Sequence, residues 1–231
     1  FIADIMENIG QMPTTMRKLG LVQFFSWFAF FTMWSMANPA LTEHVFNTPA
    51  PIETQYDLST KIGQAEFDVA NTAFQESSNS VGSAMGVYGL SSMAFALFLT
   101  LYTSKRTINR KNVHMGSLIL GGIGFLTMYF ANPNQLKLCF ILIGLSWGSI
   151  LSMPYAMLSS SIKASQMGLA MGIFNIFIVI PQIVAALGGI TLTAETFLGE
   201  DLIHTMTLAG FSLLLASLFT LVITERYAVS D

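Results

Sequence analysis

The sequence is short of charge. Lys, Arg, Asp and Glu together make up 10% of it, where a soluble domain carries about a quarter. The few charges are also clumped, with none between residues 19 and 42 or between 164 and 194, while four bases fall within 104–111. There is one cysteine, Cys139, so no disulfide can form within the chain. No HExxH, no Walker loop and no paired carboxylates occur, which leaves metalloprotease and ATPase chemistry without residues to run on. The three histidines, His44, His114 and His204, sit at the ends of apolar runs and read as interfacial residues rather than ligands. No metal, cofactor or nucleic acid is expected as a partner.

What is present is apolar: 53% hydrophobic residues in 231, with a mean hydropathy of +0.61. That composition belongs to a membrane protein. A helix needs about 20 apolar residues to cross roughly 30 Å of hydrocarbon. Uncharged runs of that length lie at about 19–42, 81–103, 114–131, 138–158, 166–190 and 203–223. None alternates with the period of a membrane strand, so the expected fold is all-α with six spans. Residues 1–17 read as a cytoplasmic linker with an interfacial helix carrying Ile2, Ile5, Ile9 and Met12 on one face and ended near Pro13; 18–231 is the membrane domain. The chain begins at Phe1 rather than Met, as expected of a piece cut from something longer.

Eight bases, Arg17, Lys18, Lys105, Arg106, Arg110, Lys111, Lys163 and Arg226, fall in one set of connections, against Lys61 and Lys137 in the other. Basic loops stay inside, so both termini are expected in the cytoplasm. The long connection 43–80 faces outward and is acidic. Phe67, Ala70 and Phe74 recur at roughly helical intervals in its second half, consistent with a short helix at the outer surface.

Polar residues inside a span face other helices or a wet cavity. In span one, Gln23, Trp27, Phe30 and Trp34 share one stripe, with Trp27 some ~12 Å inside the cytoplasmic boundary. Span four aligns Gly144, Gly148, Ser152 and Tyr155 beside Trp147 and is expected to break at Pro154. In span five, Asn175 and Gln182 are two turns apart on one face, Pro181 predicts a kink about a turn before it, and Gly168 and Gly172 form a small-residue notch. Each stripe is either a packing seam or a cavity wall. Spans three and six lack amides and read as peripheral, facing lipid, so that two three-helix units surround a polar centre. No span holds an acid or base, so none supplies the charged group that proton coupling usually needs.

Four segments carry a resemblance: "MPTTMRKLGLVQFFSWFAFFTMW", "ANPALTEHVF", "GLSWGSILSMPYAMLSSSI" and "MGLAMGIFNIFIVIPQIVAAL". Together they resemble the second half of sugar symporters of the major facilitator superfamily, nearest to the glycoside-pentoside-hexuronide cation symporters and the sucrose and maltose carriers. The resemblance spans about residues 11–223. It implies a twelve-helix fold of which these are helices seven to twelve, a 3+3 inverted repeat. It also implies an N-terminal six-helix half as partner, in a membrane of the bacterial inner kind, and alternating-access transport of a disaccharide or related glycoside with a cation, the proton. By position, Gln23, Trp27, Trp34, Ser152, Tyr155, Asn175 and Gln182 become its sugar contacts. Two departures stand out. The connection "TSKRTINRKN" keeps the superfamily's bases but lacks its acid and glycines, and Ala37 and Asn38 stand where plant sucrose carriers have an acid. The rival reading is a non-transporting membrane assembly or sensor protein, whose stripes are packing seams; an upstream half with a membrane-embedded acid would separate the two.

Overall fold

The structure is a computed structural model and describes residues 12–162 and 167–223. Its elements are α1 (Thr14–His44), a 3-10 turn at Glu53–Gln55, α2 (Lys61–Thr103), α3 (Arg110–Thr127) closing in a 3-10 turn at Met128–Phe130, and α4 (Leu136–Ile150). After them come α5 (Met153–Ser159), α6 (Met167–Val184), a π-helical turn at Ala185–Gly189, α7 (Ile190–Leu198) and α8 (Ile203–Leu221). The pieces combine into six segments long and apolar enough to cross a membrane, and no strand occurs among the described residues. Helices are what hydrocarbon demands, since each satisfies its own backbone polar groups. The proposed interfacial helix at the start of the chain lies outside the described residues, as do Lys163 and Arg226.

The loop 43–80 departs from expectation. Its second half is no separate surface helix: α2 begins at Lys61 and runs unbroken into span two. Thr60 caps it, accepting from the Gly63 amide at 3.1 Å, and no proline follows to stop it. Its 43 residues would reach about 65 Å at 1.5 Å each, twice the hydrocarbon thickness. The first turns therefore stand clear of the membrane at the acidic end. Tyr56 packs edge-on to Phe67, and Thr48 donates to Ser77 at 2.6 Å, tying this extension back to α1.

Spans three and six also pack closely within this bundle: α8 lies between α1 and α3, and α3 lies on α4 as well. Of their most apolar stretches 44% and 56% are buried, beside 50% for α1, 56% for span four, 33% for the span containing α6 and 17% for α2. Amide-free helices pack in this way because close helix contact in lipid rests on small residues, not on polarity. Gly122 of α3 and Gly210 of α8 face one another, and a Cβ on either would press on the other's carbonyl oxygen at about 3.1–3.2 Å. Only one face of each, with Leu120 and Ile123 or Leu215 and Leu218, is exposed.

Two breaks shape the spans. Span four is interrupted at Leu151 and Ser152, and Pro154 lies in the first turn of α5, where it lacks only a donor that would have been idle. Span five is different from expectation: α6 passes through Pro181 as helix, and the irregularity comes after it, at Ala185–Gly189. Gly188 there adopts φ +90°, a conformation open to glycine, so the wide turn is placed where the backbone can take it. At the basic end, Lys18 and Lys111 each donate at 2.6 Å to the last carbonyls of α8, Val222 and Leu221.

Candidate functional site

Four side chains of the α1 stripe point one way, and what they meet defines the site. Trp27 and Trp34 lie 6.1 Å apart at 70°. Trp147 of α4 joins both, 5.4 Å from Trp27 at 75° and 5.2 Å from Trp34 at 89°. Phe30 packs behind, 4.8 Å from Trp147. Edge-to-face contacts of this kind fix ring orientation. On the α2 side, the Trp34 indole N–H donates to the Tyr88 hydroxyl at 3.2 Å. Trp34 is 38% exposed, so the cluster presents an open aromatic rim held rigidly from beneath. Tyr88 was not among the expected site residues. Its signal in the sequence is slight: one tyrosine between Gly86 and Gly89 in an apolar run.

One turn from Trp27 toward the basic end, Gln23 is wholly enclosed rather than lining an accessible wall. Among the described residues neither atom of its amide has a hydrogen-bond partner, and the same is true of Ser26 Oγ and Trp27 Nε1. An enclosed, unmatched polar group costs about 1–3 kcal/mol. Three such residues, Gln23, Ser26 and Trp27, fall within about one turn of α1. His114 corrects a second expectation. It is fully buried, not interfacial, because α3 starts a turn earlier at Arg110 on an Asn109 cap. Its Nδ1 lies 2.8 Å from Ser149 Oγ of α4, and its Nε2 is enclosed without a partner. His44 and His204 do sit at the acidic end, on either side of Tyr129 with ring centroids 5.2 and 5.9 Å away. No cluster of three metal-ligating side chains occurs among the described residues.

The other expected contacts are more dispersed. Ser152 stands in the α4–α5 break, its hydroxyl donating to the Gly148 carbonyl at 2.8 Å. Tyr155 is half-buried and meets Phe174 of α6 edge-on at 5.6 Å. Asn175 is exposed and Gln182 half-buried, on the side of α6 opposite Ala170, Phe174 and Pro181, which it buries. Among the described residues neither amide has a hydrogen bond. Gly168 and Gly172 share that side, and a Cβ on either would meet nothing within 4 Å. The notch is real but no helix of this bundle fills it. By contrast Gly144 and Gly148 are packing positions, pressed against the α2 backbone at Tyr88 and Ser92. The structure thus brings Trp27 and Trp34 together with Trp147 and Tyr88, and leaves Asn175 and Gln182 on an uncovered flank.

Six apolar helices, with uncharged polar groups inside and an uncovered polar flank, define a polytopic membrane protein. The model of the Major Facilitator Superfamily matches residues 19–230, and the chain belongs to that superfamily of membrane transporters. Its bundle is one half of the superfamily's fold. Among curated proteins no match to the chain was found. Superfamily membership weighs against the assembly or sensor reading.

Proposed function

We propose that this chain is the C-terminal half of a secondary carrier for a disaccharide or related glycoside, working by alternating access against an N-terminal six-helix half and driven by protons. The tryptophan cluster is the observation that carries this reading. A sugar ring offers an apolar C–H face to stack on indole and hydroxyls to pair with amides, indole N–H and phenol. Trp34, Trp27 and Tyr88 supply the first with part of the second, while Asn175 and Gln182 hold amides free on the flank that an opposing half would face. The membrane interior offers no charged side chain to a substrate, which fits an uncharged one. Proton drive follows from the family resemblance, and the basic end is assigned to the cytoplasm by the charge count.

The test is uptake of radiolabelled sucrose, maltose and simple glycosides by cells expressing the intact protein, with and without a proton gradient. Stacking of the sugar on indole is worth about 0.5–1.5 kcal/mol, so Trp34→Ala should raise the half-saturating concentration roughly 3- to 10-fold while Trp34→Phe recovers part of the loss. Unchanged uptake kinetics in Trp27→Ala and Trp34→Ala, at matched expression, would remove the cluster from the site.

A further inference from the structure

A cavity of about 350 Å³ lies at the basic end, away from the tryptophans. It opens where α2 ends, where α3 begins and where span four is broken. Arg106, Thr107 and Arg110 line it from the α2–α3 connection, and Ser152 and Ala156 line it from the break. Neither arginine is neutralised among the described residues. Arg110 is half-buried and donates one N–H to the Ala156 carbonyl at 3.0 Å, and Arg106 lies over the Tyr102 ring at 5.5 Å. A guanidinium has five N–H donors and cannot shed its charge, so both keep most of their donors for something else. Among the described residues no carboxylate lines the cavity.

We propose that this cavity is an anion site for a phosphate group, held between Arg106 and Arg110 with the Thr107 hydroxyl as a third donor. The choice of phosphate follows from donor geometry. Two planar guanidiniums suit a tetrahedral anion with several acceptor oxygens, and paired charge-assisted bonds to it are the strong kind. The Ala156 carbonyl holds Arg110 toward the cavity, and the exposed Arg106 rests over the Tyr102 ring beside it. A phosphate reaches this end of the bundle from two sources, an anionic lipid headgroup or the soluble pool. The assignment does not depend on which solute the protein carries.

The experiment uses the intact protein purified in detergent and follows its thermal unfolding midpoint against inorganic phosphate in one series and against short-chain phosphatidylglycerol in another, with chloride and short-chain phosphatidylcholine as controls. Concentration-dependent stabilisation by phosphatidylglycerol with none by inorganic phosphate assigns the lipid; stabilisation by both assigns a site for the free anion. Arg106→Gln leaves the backbone contact of Arg110 intact, and it should weaken the apparent affinity roughly tenfold or more, the loss expected for a charge-assisted bond. Lys137→Gln, at the acidic end, should leave it unchanged. Equal stabilisation by the controls, no response to either phosphate, or a response that survives both Arg106→Gln and Arg110→Gln would overturn the proposal.

Discussion

Trp34 shows how much one side chain depends on its neighbours. Its place on a stripe with Trp27 could be counted from spacing, because residues seven apart on a helix look the same way. Its hydrogen bond to Tyr88 could not, because α2 is an independent stretch of sequence whose register against α1 is set by packing. That packing rests on Gly144, which leaves no room for a Cβ against the Tyr88 backbone. Gly144→Ala should cost about 1–3 kcal/mol by overpacking the α2–α4 seam. The readout is a lower unfolding midpoint of the purified protein, and Gly116→Ala on α3, whose Cβ would meet nothing within 4 Å, is the comparison. An equal effect of the two substitutions would contradict the seam. Gln23 is the opposite case. Its polarity is plain in the sequence, yet its enclosure is decided by how α1 sits among its neighbours, so a residue expected on a wall turned out to be inside one.

At the scale of elements, proline proved a poorer guide than glycine. Pro154 did mark a break, because it falls just past one, where a helix start tolerates it. Pro181 marked none; the chain yields at Gly188, whose positive φ a side chain resists. Gly188→Ala is expected to cost about 1 kcal/mol through that strain, seen as a lowered unfolding midpoint, whereas Pro181→Ala should leave the Ala185–Gly189 turn in place. The α2 extension makes a similar point. Residues 61–80 were read as a loop with a helical patch because their polarity set them apart from the span, but polarity does not end a helix. Nothing in 61–80 stops it, and its N-cap lies at Thr60. Thr60→Ala should destabilise the first turns by about 1 kcal/mol without touching transport, checked by faster amide exchange over the start of α2.

For the whole molecule, the uncovered flanks matter most. α2 and α6 bury the smallest share of their apolar length, and Gly82, Gly86, Gly168 and Gly172 are open on them. A superfamily half is expected to bury such faces on its companion. If the proposed N-terminal half is needed, these 231 residues alone should not move sugar into liposomes, since their polar flank would lack an opposing wall; uptake by them would contradict the proposal. A finer test places a cysteine at Asn175 in a Cys139→Ala background. A water-soluble maleimide should label it freely in the isolated piece, and in the intact protein at a rate slowed by the transported sugar.

By itself the sequence determined that this is a helical membrane protein with six apolar segments long enough to cross, and which faces of spans one and five carry the polar residues. Those properties are local: hydrocarbon forbids unpaired backbone and stray charge, so length, hydropathy and helical spacing suffice to read them. Tertiary structure decided how the helices pack on one another, which glycines are pressed against backbone and which are open, and that Trp147 and Tyr88 complete a cluster begun by Trp27 and Trp34. These depend on contacts between segments far apart in the chain. In lipid such contacts are selected by shape more than by hydrophobicity, since every apolar face is equally at home against lipid tails.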